Sequence, residues 1–113
     1  MNDACIFCRI VAGTIPAQVV AQNDVALAFR DLHPQAPVHV LVVPRRHVDS
    51  LAVAADTAEL GAVLALAAEV ARQEGVAESG YRVVTNVGGD GGQTVGHLHW
   101  HVLGGRAMSW PPG

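Results

Sequence analysis

Three histidines at alternate positions, His97, His99 and His101 in the stretch GHLHWHVL (96–103), gather half of the chain's six imidazoles into five residues. On an extended strand alternate side chains share a face, roughly 7 Å apart. The spacing therefore predicts a row of imidazoles along one surface, with Leu98, Trp100 and Val102 turned into the core. Imidazole exchanges protons near neutral pH, ligates metals and attacks electrophiles. Three uses compete for this row. It can decorate a solvent-facing strand, or bind a catalytic zinc through three open-sided ligands, although no carboxylate base stands close by in sequence. Alternatively one imidazole attacks phosphorus and forms a covalent phospho-histidine while its neighbours orient it and carry protons.

The segment just upstream favours the third use. Gly88, Gly89, Gly91 and Gly92 permit backbone conformations in which successive N–H groups converge on an anion, and Gln93 and Thr94 add an amide and a hydroxyl. Alone, such a loop is equally a flexible connection. Followed at once by three same-face histidines, it reads as a phosphate site beside a nucleophile. Asn86, at the end of the preceding strand, is either a turn former or a ligand.

A second chemical group lies at the other end of the chain. Cys5 and Cys8, in CIFC, have the spacing of a zinc half-site that needs two further ligands. Two cysteines are too few for a disulfide framework. A redox pair and inert core thiols are the other readings, and no strand-to-helix junction of the redox kind is evident around them.

Composition narrows the rest. The 113 residues suit a single domain spanning 1–113, half of them hydrophobic and 15% charged, which excludes a disordered chain. The net charge of −3 and the absence of any basic run exclude a nucleic-acid partner. All seven basic residues are arginine, so P-loop and Schiff-base lysine chemistry is excluded as well. No charged start followed by an apolar core is present, and no 18-residue apolar span occurs, so no membrane association and a cytoplasmic location are expected.

These residues must be held by regular elements. AQVVAQ (17–22) and VALAFRD (25–31), rich in apolar and β-branched residues, flank Asn23-Asp24 and predict a hairpin. VHVLVVP (38–44) predicts a central strand buried on both faces, interrupted by one polar residue, His39. From Asp56 to about Gly75 the period becomes helical, with Leu60, Val63, Leu64, Ala67, Val70 and Ala71 on one face and a capping-box-like Asp56/Glu59 start. YRVVTNV (81–87) and HLHWHVL (97–103) follow as strands. The sum is an α+β domain, an antiparallel sheet of about five strands with one main helix packed on it.

HLHWHVL fits the pattern H-φ-H-φ-H-φ-φ, with φ hydrophobic, and here the sequence resembles the histidine triad (HIT) family. IFCRIVAGTIPAQVV, AFRDLHPQAPVHVLVVPRRHV and TNVGGDGGQTVGHLHWHVLGGRAMSWPPG are similar to successive blocks of its Hint branch. The resemblance implies a homodimer that binds purine nucleoside monophosphates and hydrolyses adenosine phosphoramidates without a catalytic metal. It implies that His99 is the nucleophile, that His101 contacts the phosphate, and that His97 and His39 support them. Asn86, Gly92, Gln93 and Thr94 match its phosphate-side segment, Asp31 its ribose ligand, and Ile6, Phe7, Phe29 and Leu32 its base pocket, although core packing explains those four equally well. Some bacterial members complete the cysteine pair with histidines matching His47 and His97, which implies a structural zinc held by Cys5, Cys8, His47 and His97. A metal-bound His97 is then not a freely titrating partner of His99.

Other functions stay open at this point. Within the family they are cleavage of dinucleoside polyphosphates and nucleotidyl transfer, against which the WPPG ending argues. From another class comes a nucleotide-binding regulatory or scaffold dimer whose catalysis is vestigial. Trp110, with little chain after it to cover its ring, is either a dimer contact or part of a frayed tail.

Overall fold

The computed structural model describes residues 4–113; the first three residues, part of the start read above for a sorting signal, lie outside them. The order of elements is α1 (Ile6–Val11), β1 (Val19–Gln22), β2 (Ala26–Arg30), β3 (Val38–Pro44), a short 3-10 turn (Leu51–Val53), α2 (Thr57–Gln73), β4 (Tyr81–Val84) and β5 (Trp100–Gly104). The strands form one antiparallel sheet in the order β1-β2-β3-β5-β4. This is the α+β architecture expected, with VHVLVVP in its middle.

The hairpin closes because the Asn23 carboxamide oxygen accepts the Val25 and Ala26 N–H groups at 2.9 and 2.7 Å, an Asx turn that starts β2 at once. Alternation along β3 then divides two cores. Val40 and Val42 pack with Ala26, Ala28, Val102 and the buried face of α2. Leu41 and Val43 point the other way, packing with Leu27, Phe29, Phe7 and both cysteines. A run buried on both faces therefore needs covers on both, and α1 with the chain around it is the second.

Helix α2 begins where Asp56 accepts the Glu59 N–H at 3.0 Å. Glu59 does not reach back to the cap as a full capping box would. Its carboxylate pairs with Arg46, at 2.8 and 3.1 Å, and ties the helix to the end of β3. The buried face carries Val63, Leu66, Ala67, Val70 and Ala71, while Leu64 is exposed, which corrects the predicted stripe. LGAVLALAAEVA is apolar around most of its circumference, so sequence period alone fits two faces and the sheet selects one. Past the helix, Gly104 of β5 passes so near Val76 that a Cβ would lie 2.9 Å from its side chain.

Two further expectations shift. Helix α1 was not foreseen: it has only six residues, and its cap is a thiol, the Cys5 sulfur accepting the Cys8 N–H at 3.4 Å. Strand β5 begins at Trp100, so His97 and His99 lie before the paired strand, His97 in a bend. Among the described residues no helix is long and apolar enough to cross a membrane.

Candidate functional site

Register brings the chemistry to one face. Phe29 pairs with Leu41, Leu41 with His101, and His101 with Val84, so these four cross the sheet in one row on the face opposite α2. His39, two residues before Leu41, joins that face. The histidines do not form an open surface row. His97 is fully buried and His99 nearly so, because the N-terminal segment lies over them. Phe7 of α1 meets the rings of His97, His99 and Phe29 edge-on, with centroids 5.9, 5.1 and 5.5 Å apart.

The first cluster joins Cys5, Cys8, His47 and His97, whose ligand atoms all lie within 4.8 Å of one another. His97 Nδ1 is 3.3 Å from the Cys5 sulfur and 3.5 Å from that of Cys8, and His47 Nδ1 is 3.3 Å from the Cys8 sulfur. Bonds of about 2.3 Å to sulfur and about 2.0 Å to nitrogen at a tetrahedral angle put S and N about 3.5 Å apart, so the cage has nearly the size zinc needs. The outer ring nitrogens agree. His97 Nε2–H donates to the Pro44 carbonyl at 2.9 Å and His47 Nε2–H to the Asp49 carboxylate at 2.8 Å. Both hydrogen bonds fix the proton on Nε2 and turn the Nδ1 lone pair to the thiols, the orientation that metal-binding histidines take. Burial lowers the His97 pKa, keeping the ring neutral and able to ligate. A site for structural zinc is thus present in the donor set.

The second cluster joins Asp31, His39 and His101. Here the Gln35 backbone N–H donates to His39 Nδ1 at 2.9 Å, which forces the proton of that ring onto Nε2. His39 Nε2–H donates in turn to His101 Nδ1 at 2.9 Å, with an Asp31 oxygen 3.4 Å away as alternative acceptor. The proton of neutral His101 is therefore on Nε2. Burial, and then the neighbouring His99 and His39, hold the His101 pKa down at about 4, and burial lowers that of His39 against the pull of Asp31. A metal on His39 Nε2 would displace this proton while Nδ1 already accepts one, leaving an imidazolate. The group suits proton handling, and the catalytic-zinc reading of the triad loses support because His97 gathers with the two thiols and His101 with Asp31 and His39 rather than all three histidines with one another.

His99 stands between the clusters. Its Nδ1–H donates to the His97 carbonyl at 2.7 Å, so Nε2 keeps the lone pair. The Thr85 hydroxyl donates to the His99 carbonyl at 2.8 Å, and the Leu98 N–H to the Val48 carbonyl at 2.6 Å, fixing the backbone on both sides. The His99 and His101 rings lie 5.1 Å apart, centroid to centroid.

Both rings line a cavity of about 290 Å³. Ile6, Phe7, Phe29, Asp31, Leu32 and Thr94, named from the sequence, line it too. Asn86, Gly92 and Gln93 do not. Gln93 spends its amide on backbone, its Nε2–H on the Val95 carbonyl and on the Asp49 carbonyl of the segment after β3, its oxygen on the Gly88 N–H, and the Gly92 N–H donates to the Gly89 carbonyl. The turn is tight enough that a Cβ at Gly91 would overlap the Val87 carbonyl. Ile10, Ile15, Leu41, Val95 and His33 line the cavity without having been named. Leu41 was findable, two residues from His39 on a strand; Ile10, one helical turn from Ile6, required α1.

A short α+β domain with a buried imidazole whose Nε2 lone pair is open, a hydrogen-bonded histidine pair beside it and a largely apolar cavity defines the class. A HIT domain matches residues 12–108, and the chain belongs to the HIT family. It is 50% identical over its whole length to a HIT-like protein of Synechococcus elongatus, also matched in full. It is 49% identical to the 14 kDa zinc-binding protein of Zea mays, with 99% of this chain and 90% of that protein aligned. The HIT family hydrolase of Legionella pneumophila superposes with a TM-score of 0.93 at 48% identity, over 96% of this chain and 99% of the other. The fold and its neighbours are those of HIT hydrolases.

Proposed function

We propose that the protein is a purine nucleoside phosphoramidate hydrolase of the Hint branch, working through a nucleotidyl-histidine on His99. What carries the reading is the His99 ring itself: Nδ1–H is spent on the His97 carbonyl, Nε2 keeps a lone pair, and the ring lines the cavity beside His101.

The base lies between Ile6, Phe7, Phe29 and Leu32, the ribose hydroxyls on Asp31, and the phosphate near Thr94, His99 and His101. His99 Nε2 attacks phosphorus and the P–N bond breaks, the electron pair leaving with the amine. The positive charge that develops on the imidazole is held by the Nδ1–H bond to the carbonyl. The anionic phosphate opposes the burial of His101 and favours its protonated form, which gives its Nε2 proton to the amine. While His101 is charged, the Asp31 carboxylate serves as acceptor for the crowded N–H groups of His39 and His101. In the second half, water attacks phosphorus and passes its proton to His101, and the pair of the P–N bond returns to His99. No metal enters this cycle.

Structural zinc on Cys5, Cys8, His47 and His97 accompanies the reading, supported by the cage dimensions and by the zinc-binding maize relative. So does a cytoplasmic homodimer: Trp110 is 81% exposed, and among the described residues β4 pairs only with β5, leaving its outer edge for a second copy.

Rapid quench of a reaction with an adenosine phosphoramidate, followed by peptide mass spectrometry at alkaline pH, tests the proposal. A nucleotide adduct on the peptide carrying His99 is expected. Steady turnover with no adduct at any time would exclude the mechanism.

A further inference from the structure

One residue belongs to both centres. The His97 ring faces the two thiols while its carbonyl receives the His99 Nδ1–H at 2.7 Å. The ring is braced behind by the Pro44 carbonyl and in front by the edge of Phe7, which lies on α1 between the two cysteines. Phe7 also meets the His99 ring, so the thiol-bearing helix touches the nucleophile directly.

We propose that the metal centre is a positioning device for the nucleophile. With zinc bound, Cys5 and Cys8 clamp α1 onto the sheet, the His97 ring is fixed, and its carbonyl is held where it selects the Nδ1–H form of His99. Without zinc, the S···N separations of 3.3–3.5 Å between these ligands are no longer bridged by a common centre, and α1 is held by its core packing alone. His97 then keeps its Pro44 and Phe7 contacts but loses the metal's constraint on Nδ1, its carbonyl is held less closely, and the other form of His99, with its proton on Nε2 where no attack is possible, becomes populated beside the first. The inference rests on the proposed role of His99 as nucleophile and on zinc as resident metal.

Reciprocity makes the coupling measurable without turnover: if zinc orders His99, a ligand held by His99 must tighten zinc by the same factor. The experiment uses the full chain without a histidine tag, zinc-loaded and metal-free under reducing conditions. Long-range proton–nitrogen spectra report which His99 nitrogen carries the proton, and zinc affinity is measured by equilibrium competition with a chromophoric chelator, with and without saturating AMP. Expected are one Nδ1–H form in the loaded protein, a mixture in the metal-free one, and zinc release at equilibrium reduced several-fold by AMP. Turnover of a phosphoramidate is expected to fall about tenfold on zinc removal and to recover on its return, the size typical of an outer-shell change. Cys5→Ser, which retains a weaker ligand, is expected to fall between the two. An unchanged His99 form in the metal-free protein, or zinc release indifferent to bound AMP, overturns the coupling. Absence of zinc from protein as purified, or of any His99 adduct, instead overturns the readings beneath it, and each is measured separately.

Discussion

Two histidine clusters lie on the same face of one sheet, each with an acidic residue near it, and they are built for opposite work. In the thiol cluster, His47 and His97 donate from Nε2 to a carboxylate and a carbonyl, so Nδ1 lone pairs converge on one point. In the Asp31 cluster a backbone N–H donates into His39 Nδ1, so the remaining proton points inward and a metal is refused. The residue types alone do not separate these outcomes. What separates them is which partner, donor or acceptor, the fold places behind each ring.

The comparison breaks most sharply at His99, which connects the two. His99→Gly is expected to lower phosphoramidate turnover by at least about 10⁴-fold. Nucleotide affinity, measured by calorimetry, should fall no more than several-fold, since the base and ribose contacts remain. A residual rate within tenfold of the parent would remove His99 from the chemistry.

His101→Gln keeps a donor near the phosphate but cannot carry a proton. A loss of about 10²- to 10³-fold is expected with amine leaving groups. The loss should be much smaller with a nucleotide ester whose leaving group departs as a stable anion. Equal losses with both substrates would assign His101 to binding alone.

Zinc removal, or Cys8→Ala, addresses the thiol cluster. A metal that binds the folded state alone adds several kcal/mol, so melting is expected to fall by about 10–20 °C. Asp49→Asn, which weakens the acceptor behind His47, should give a fraction of that fall. Melting that ignores a chelator would return the cysteines to the ordinary core.

Acid probes the relay. The folded pKa of His101 is held near 4, below its ordinary value, so the folded state binds fewer protons than the unfolded chain between about pH 6.5 and 4. The stability tied to the neutral relay is therefore complete above that window and is lost as pH falls through it. His39, lowered in the same direction, adds to the loss. Urea unfolding at pH 7 and pH 5 should differ by about 1 kcal/mol more in the parent than in His101→Gln.

The smallest effect sharpens the contrast most. Gln35→Pro removes the N–H behind His39 and frees that ring to carry its proton on Nδ1, which turns the Nε2 lone pair inward as the Nδ1 lone pairs of His47 and His97 are turned to the thiols. The variant is expected to become several-fold more sensitive to inhibition by added zinc. Parent-like sensitivity would mean that the Gln35 N–H does not decide the matter.

Much of the fold could be read in advance. The hairpin at Asn23, the strand VHVLVVP and helix α2 are signalled locally, by a turn former, an unbroken apolar run and a 3.6-residue period. Local signals failed where the structure is held by distant partners. Helix α1 is shorter than a free-standing helix needs and is supported by the sheet beneath it. The expected stripe of α2 includes Leu64 where the fold buries Leu66, because an almost wholly apolar helix shows its inner face only once a sheet is chosen. The site shows the same division. The alternation of His97, His99 and His101 announced a shared face, yet burial beneath Phe7 could not be inferred from it.

The sequence by itself determined the types of the five strands and of α2, the side-chain face on which the triad lies and the nearness of Cys5 and Cys8, three positions apart, since each follows from periods of two, three or four residues along the backbone. Tertiary structure alone decided the proton positions. His97 Nε2 meets the Pro44 carbonyl and His39 Nδ1 meets the Gln35 N–H, contacts made by a strand end and a loop that local spacing does not specify. A ring with two similar nitrogens takes its chemistry from whichever one the fold leaves open.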